Sequence, residues 1–525
     1  MLHLIKKGTM RYCGQNKPGV GTENKPEALW QVVYVWAIAG ATALLHIAVA
    51  DRYDVFRNEL YFIICGRHPA LGYVDQPPLV PLMAAATQWL GIHIWLLRLP
   101  AAAAAAALVP LSAEFTRMLG GGALSIMLAA TAAAIAPGLA GLTATLTTST
   151  FEPLAWTACA YFVARAATHE DRRALLRAGF IVGVSMEAKY GIAMWLIPVF
   201  VGLMLTSSRR VLTWRQCWLG MATAALIAAP SLIWQMTHGW PFLTVTAHHA
   251  PMNLTGGPLT FEIRQVFAMN ALLAPLWLAG AVAPFWTAEL KPARFLSIAF
   301  IAATVLDLAA GGKDYYLFAA YPTMFAVGAA ACTRLRAWLV GTWLLLATAL
   351  FAVLAPIVLP ILDPPVLSRY LASTHLKPPP NEVAAIGAPL TQVFSDELGW
   401  RALEKQVASV YHSLSAPDQE NAVIVATNYG EAAAIDFYGK ADGLPPAISG
   451  QNQYFLWGPR GGDGSVIIHI NGDPDHWRRL CGSVTVVGTF GAPYAMPYED
   501  GRPIFVCRDL RHDLNSIWKR FKRYQ

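Results

Sequence analysis

Residues 51–81 read DRYDVFRNELYFIICGRHPALGYVDQPPLVP. They follow a charge-free apolar run, Ala28 to Ala50, long enough to cross a bilayer at ~1.5 Å per residue. The stretch then gathers Asp51, Asp54, Glu59, Asp75, three arginines, one histidine and three tyrosines. So dense a polar and aromatic cluster, held at a membrane surface, marks a place where chemistry is expected.

The rest of the chain is greasy. It is 55% hydrophobic with a mean hydropathy of +0.42, and 14% charged against roughly 25% in a soluble domain. Runs free of Asp, Glu, Lys and Arg recur at 118–151, 190–208, 216–261, 265–288, 315–333 and 337–362, and several exceed the ~20 residues of a spanning helix. A polytopic, mostly α membrane protein is predicted. The first apolar segment is too long for a signal-peptide core and has no small-residue cleavage site, so it is expected to stay as an anchor. The net charge of +7 does not point to nucleic acid, because the basic residues sit in short loops between apolar runs, where they report topology.

Sidedness follows from where Lys and Arg collect. The clusters are Lys6, Lys7, Arg11, Lys17 and Lys25; Arg117; Arg165, Arg172, Arg173 and Arg177; Arg209, Arg210 and Arg215; Lys291 and Arg294; and Arg334 and Arg336. If all are cytoplasmic, an even number of crossings separates successive clusters. From Arg117 onward the runs 120–138, 149–165, 174–189, 190–207, 217–235, 264–284, 294–311, 314–332 and 337–360 fit. Between Ala28 and Arg117 one of the segments 28–50, 77–97 and 98–116 must not cross. The segment 77–97 opens with Pro77-Pro78, carries Pro81 and is interrupted by Gln88 and His93, so it is read as an interfacial or re-entrant helix. The expected organisation is a cytoplasmic segment 1–27, a membrane domain 28–362 with about 11 transmembrane helices and a first outer loop at 51–97, and an extracytoplasmic remainder, 363–525.

This topology places the remaining polar clusters together. The 51–81 loop, Glu152, Glu187 with Lys189 and Tyr190, His238 with His248 and His249, Arg264, and Asp307 with Lys313, Asp314, Tyr315 and Tyr316 all fall at outer helix ends. None of these residues was used to set the orientation. Their convergence on one face suggests a single extracytoplasmic site.

Beyond Leu362 the composition changes. Short β-rich runs at 422–426, 465–470 and 483–487 alternate with a helical pattern at 430–438, which predicts a small α/β domain able to bury its own core. Residues 363–380, ending in PPP, read as a linker, and Asp396-Glu397 as a solvated face. The seven cysteines show no metal spacing. Cys481 and Cys507 both fall in this domain, but the sequence leaves their separation, and so their pairing, open.

The order of an apolar helix, an outer loop with NELYF, then GYVDQPPLVPL and a helix opening with RLP resembles the GT-C membrane glycosyltransferases of family 39, the protein O-mannosyltransferases and aminoarabinose transferases. GKDYYLFAAYP at 312–322 and TTSTFEPLAW at 147–156 resemble further segments of that family. The resemblance covers roughly residues 28–335 and implies a GT-C-like fold. It also implies transfer of a sugar from a polyprenyl-phosphate carrier to a lipid, polysaccharide or protein acceptor outside the membrane, in a bacterial plasma (inner) membrane.

Such a transfer needs a carboxylate to take the acceptor's proton and cations to hold the phosphate. In the family the carboxylate belongs to an acidic pair at the start of the first outer loop. Here the first position is Asn58 and only Glu59 is acidic. Glu59 is therefore the expected base, with Asn58 orienting acceptor or sugar, and Asp54 or Asp75 as substitutes. Glu152 and Asp75 match acidic positions of the family and are expected to bind sugar hydroxyls, or to share a divalent cation through oxygen ligands. Such a metal is optional. For the phosphate the candidates are Lys313, Arg67, Lys189 and Arg264, with Tyr315 and Tyr316 bonding the phosphate or stacking on the sugar.

Plainer readings stand beside these. Tyr61, Tyr315 and Tyr316 also suit an interfacial aromatic belt, Arg67 and Arg264 also suit lipid headgroups, and the three histidines also suit a solvated loop. Two further functions are weighed: a transporter or flippase of lipid-linked sugars, and a non-catalytic relative that binds the carrier. Transporters place polar groups near the bilayer midplane, often in two related halves. The crowding of charge at one rim, and halves that do not resemble each other, favour the enzyme.

Overall fold

A computed structural model describes residues 29–525 apart from Thr255 and residues 461–463. The segment 1–27, expected to be cytoplasmic, lies outside the described residues. The chain is mostly helical and ends in a small mixed sheet. The apolar run before Asp51 forms α1 (Leu29–Val49). The loop that follows folds into two short helices, α2 (Arg57–Arg67) and α3 (Leu79–Trp89), before α4 (Ile94–Met118). Pro77-Pro78 sets the start of α3, with Pro78 as its N-cap, because a proline's missing N–H costs nothing where the first helical N–H groups have no partner anyway. With 11 residues α3 is roughly 16 Å long, about half the ~30 Å of bilayer hydrocarbon. α2 and α3 meet at Gly66, where a Cβ would lie 2.2 Å from the Pro81 carbonyl oxygen, so only glycine allows the approach.

Among the described residues five helices are long and apolar enough to cross a membrane: α1, α4, Arg215–Thr237, Ala288–Ala309 and Ala337–Val358. The helices Ala174–Ala188 and Arg215–Thr237 touch backbone to backbone at Gly179 and Gly220, where a Cβ on Gly179 would sit 2.1 Å from the Gly220 carbonyl oxygen. This close seating on small residues is how membrane helices gain dispersion energy without a hydrophobic driving force. The expected span 264–284 is not one straight helix. Pro258–Ala268 and Ala271–Phe285 form a pair bent by 98°. The break falls at Asn270, whose φ of 66 is left-handed and whose side chain caps the next turn through Leu272 N–H.

The C-terminal sheet has strand order β2-β1-β3-β5-β4, with β1 (Ala422–Ala426), β2 (Ile448–Ser449), β3 (Val466–Ile470), β4 (Cys481–Phe490) and β5 (Arg502–Leu510). β1, β2 and β3 are parallel, and β5 pairs antiparallel with β3 and β4. β1 and β3 are buried along their whole length and are apolar apart from His469, as strands covered on both faces require. Cys481 and Cys507 are joined by a disulfide that ties the first residue of β4 to β5.

This domain does not keep its core to itself. Leu60, Tyr61, Ile63 and Ile64 of α2 and Val80 of α3 share one buried apolar cluster with Trp400, Leu403, Ile424, Ile435, Tyr454 and Val506. The domain also buries a core of its own around Val423, Ile467, Trp477, Phe505 and Trp518, whereas the solvated reading of Asp396 and Glu397 is corrected, each being 1% exposed. The acids are buried because the domain sits on the loop, a contact that composition alone does not reveal.

Candidate active site

Glu59 is the best-held acid in the loop. Its Oε2 accepts the Phe56 N–H at 2.9 Å, capping α2 from its third residue, and its Oε1 accepts the Leu146 N–H at 2.7 Å. Arg98 of α4 donates to both oxygens. The same guanidinium also reaches the Ala50 and Asp54 carbonyls and Glu397 Oε2 at 3.0 Å. Every lone-pair direction of Glu59 is therefore taken, and its side chain is fully buried. This geometry makes Glu59 a fastener between α2, α4 and the C-terminal domain and leaves it no free oxygen for an acceptor's proton. Asp54, the first substitute, is also engaged, by the Tyr438 hydroxyl at 2.6 Å and Arg401 Nε at 3.1 Å.

Asp75 differs. It is half-buried, and its Oδ1 accepts the Tyr61 hydroxyl at 2.8 Å while its Oδ2 accepts Asn452 Nδ2 at 3.2 Å. Among the described residues it has no ion-pair partner. Burial pushes its carboxyl up to about 6, against the pull of those two hydrogen bonds. The Tyr61 ring lies 4.6 Å from that of Tyr429, whose hydroxyl donates to Asn58 Oδ1 at 2.8 Å. Arg57 lies over the Tyr429 ring at 5.4 Å. Asp75, Tyr61, Tyr429, Asn58 and Arg57 thus form one continuous wall.

A second set of residues carries the cations. Lys189 Nζ donates to Glu152 Oε2 at 2.7 Å and Ser149 Oγ at 2.8 Å, and lies 4.8 Å from the Tyr316 ring centre. Tyr316 meets Tyr315 edge to face at 4.8 Å. Lys313 sits over the Tyr315 ring and pairs with Glu382, which comes from the start of the C-terminal domain. Burial would raise the Glu382 carboxyl, yet Lys313 first and Arg57 after it hold it below the usual range. Glu382 thus belongs to the second set by contact, through Lys313, and senses the charge of Arg57 from a distance.

Of the candidate residues, Asn58, Asp75, Glu152, Lys189, Lys313, Tyr315 and Tyr316 fall on these two sets. Arg67 does not. It is exposed, donates to the Asp436 carbonyl at 3.3 Å and lies over Phe437, so it serves the domain contact. Arg264 holds the Leu254 carbonyl at 2.9 Å and faces Asp314 at 3.8 Å. His238 stacks on Trp234, and the rings of His248 and His249 are 6.5 Å apart. Among the described residues no group of three or more His, Cys, Asp or Glu side chains is arranged to hold a metal ion. Asp75 and Glu152, the two acids that the sequence allows to share a cation, have separate partners. Arg57, Glu382, Tyr429 and Asn452 are additions the sequence reading did not single out. Arg57 stands beside Asn58 and was within reach of that reading, whereas the others are brought in by the fold of the C-terminal domain.

An apolar helical domain with this site at one end, covered by a small α/β domain, is the GT-C-like architecture that the sequence resemblance implied. Residues 75–234 match the sequence profile of the family described as dolichyl-phosphate-mannose-protein mannosyltransferase. Among solved structures, the chain has the fold of ArnT from Cupriavidus metallidurans bound to undecaprenyl phosphate, with a TM-score of 0.60 at 14% identity over 91% of this chain and 98% of that one. The apo state of the same protein gives a TM-score of 0.59 at 14% identity over 91% and 97%. No curated protein sequence matches the chain.

Proposed function

We propose that this protein is a glycosyltransferase that moves a sugar from a polyprenyl-phosphate carrier to an acceptor at the extracytoplasmic rim of a bacterial inner membrane. The observation that carries the reading is Asp75. It is a carboxylate with no cationic partner among the described residues, and it stands on the same aromatic wall as Arg57, with Lys313 and Lys189 beyond. In this reading an acceptor hydroxyl attacks the anomeric carbon while Asp75 takes its proton. The bond from that carbon to the phosphate oxygen breaks, and the phosphate leaves against Lys313, Lys189 and Arg57. A carboxyl near 6 is ionised at neutral pH yet basic enough to accept a proton, which general-base catalysis asks for. Tyr315, Tyr316 and Tyr429 offer ring faces to the sugar, and Asn58 offers an amide.

The organisation proposed with it is a membrane domain 28–362 of about 11 crossings, amino terminus inside, with the loop 51–97 and the domain 363–525 outside. The lysine and arginine clusters support this orientation, and the Cys481–Cys507 disulfide suits an oxidising compartment. The undecaprenyl phosphate in the similar structure supports a lipid-phosphate carrier.

A second reading, a carrier-binding relative without turnover, is favoured by Asn58, which an amide's chemistry bars from acting as a base. Incubation of the purified protein with labelled polyprenyl-phosphate sugars separates the two. Release of free polyprenyl phosphate that is lost in Asp75→Asn supports the enzyme, and saturable binding without release supports the relative.

A further inference from the structure

Asp75 and Asn58, like Asp54 and Arg57 in the same loop, are tied to the C-terminal domain. Each is held by a side chain from the C-terminal domain, far away in sequence. Asn452 donates Nδ2 to Asp75 at 3.2 Å, and the neighbouring Gln453 N–H donates at 3.1 Å to the Tyr61 hydroxyl that in turn donates to Asp75. Both oxygens of the carboxylate are therefore oriented by residues 452–453, one directly and one through Tyr61.

Asn452 is itself fixed. Its φ of 47 lies in the left-handed region, its N–H donates to the Arg523 carbonyl at 2.9 Å, and its Oδ1 accepts the Gln525 N–H at 3.0 Å. With Oδ1 taken by a donor, the amide can present only its NH2 to Asp75. Tyr429 does the matching work on the other side of the wall. It occupies Asn58 Oδ1, so that Asn58 has its NH2 left to offer, and among the described residues that group makes no hydrogen bond.

We propose that Asn452 and Tyr429 are positioning residues for the transfer reaction, holding the Asp75 carboxylate and the Asn58 amide toward the acceptor and the sugar. The C-terminal domain is then part of the reaction site. This inference rests on the reading of Asp75 as the proton acceptor.

The test uses the full-length protein and release of polyprenyl phosphate from a labelled donor. Asn452→Gly keeps the left-handed backbone, which glycine adopts freely, and removes the donor. Loss of a hydrogen bond to the ionised carboxylate raises its proton affinity. The expected result is a kcat about tenfold lower, the size of one charge-assisted hydrogen bond, with the acid limb of the pH profile moved upward and the KM for the donor within about twofold. Tyr61→Phe should move the limb in the same direction. Tyr429→Phe keeps the ring and frees Asn58; it should change turnover or acceptor KM severalfold and leave the acid limb in place. If Asn452→Gly does not fold, Tyr61→Phe and Tyr429→Phe carry the test. Folded variants with wild-type kcat, KM and pH profile overturn the inference. Asp75→Asn separates the failures: full turnover in that variant sinks the reading of Asp75, whereas its inactivity beside normal Asn452→Gly and Tyr429→Phe sinks only the positioning role.

Discussion

Arg98 grips Glu59 through three contacts, Nε to Oε1 at 3.1 Å and to Oε2 at 3.3 Å and Nη2 to Oε2 at 2.8 Å, with the guanidinium 3% and the carboxylate 0% exposed. A fork-to-fork pair of this kind is strong and directional. Removing one member leaves the other as a buried, uncompensated charge, at about 3–5 kcal/mol. Arg98→Met should therefore lower the melting temperature in detergent markedly, and Glu59→Gln should do so to a lesser degree, with activity lost in step with fold. A Glu59→Gln protein that melts like the wild type but has no turnover would restore Glu59 as the base.

The third member of that junction, Glu397, gives a stability dependence on pH. Burial pushes its carboxyl up to about 8, against the pull of Arg98. Because the folded value lies above that of an unfolded glutamate, the protonated form is the one that favours folding. This contribution is complete below the unfolded value and is lost as pH rises through about 8. Melting temperature should thus fall as pH rises from about 5 to about 8 and level off above that, and Glu397→Gln should flatten that slope.

Asp75 sets the expected pH dependence of the reaction. A base must be ionised to accept a proton, so turnover should fall as pH drops through about 6, the value to which burial raises this carboxyl. Asp75→Asn should lower kcat by roughly 10²–10⁴-fold, the usual reach of general-base catalysis, with the fold unchanged by melting.

Lys313 is paired with Glu382, and a carrier phosphate must share that lysine or displace the carboxylate. Glu382→Gln should tighten the binding of polyprenyl phosphate severalfold, and Lys313→Met should weaken it. Titration with the lipid phosphate alone, without a sugar, reads both effects directly. Unchanged affinity in both variants would remove Lys313 from the phosphate site.

Much of this architecture was legible in the chain. α1, the proline-started α3, and the three β runs could be located because apolar periodicity and proline placement act locally. Asp75, Lys313, Tyr315 and Tyr316 were within reach because they fall between apolar runs, where polar and aromatic residues stand out. What the sequence hid shares one cause. Asp396 and Glu397 looked solvated, and the ties of Glu59 to Arg98 and Glu397 and of Arg67 to the Asp436 carbonyl went unseen, because a sequence does not show that residues 396–454 settle on residues 54–75. Burial by a distant segment leaves no local trace. The bend at Asn270 escaped for another reason, since an apolar window averages over a single left-handed residue.

The buried cluster that joins α2 to the C-terminal domain also bears on how the protein is made. Leu60 and Ile63 emerge almost four hundred residues ahead of Tyr454, an interval of roughly 20–80 s at typical rates of synthesis. During that time an apolar helix face waits for a cover that does not yet exist. The nascent chain must shelter it in the lipid interface or in a chaperone, and the waiting face is the natural starting point for misassembly.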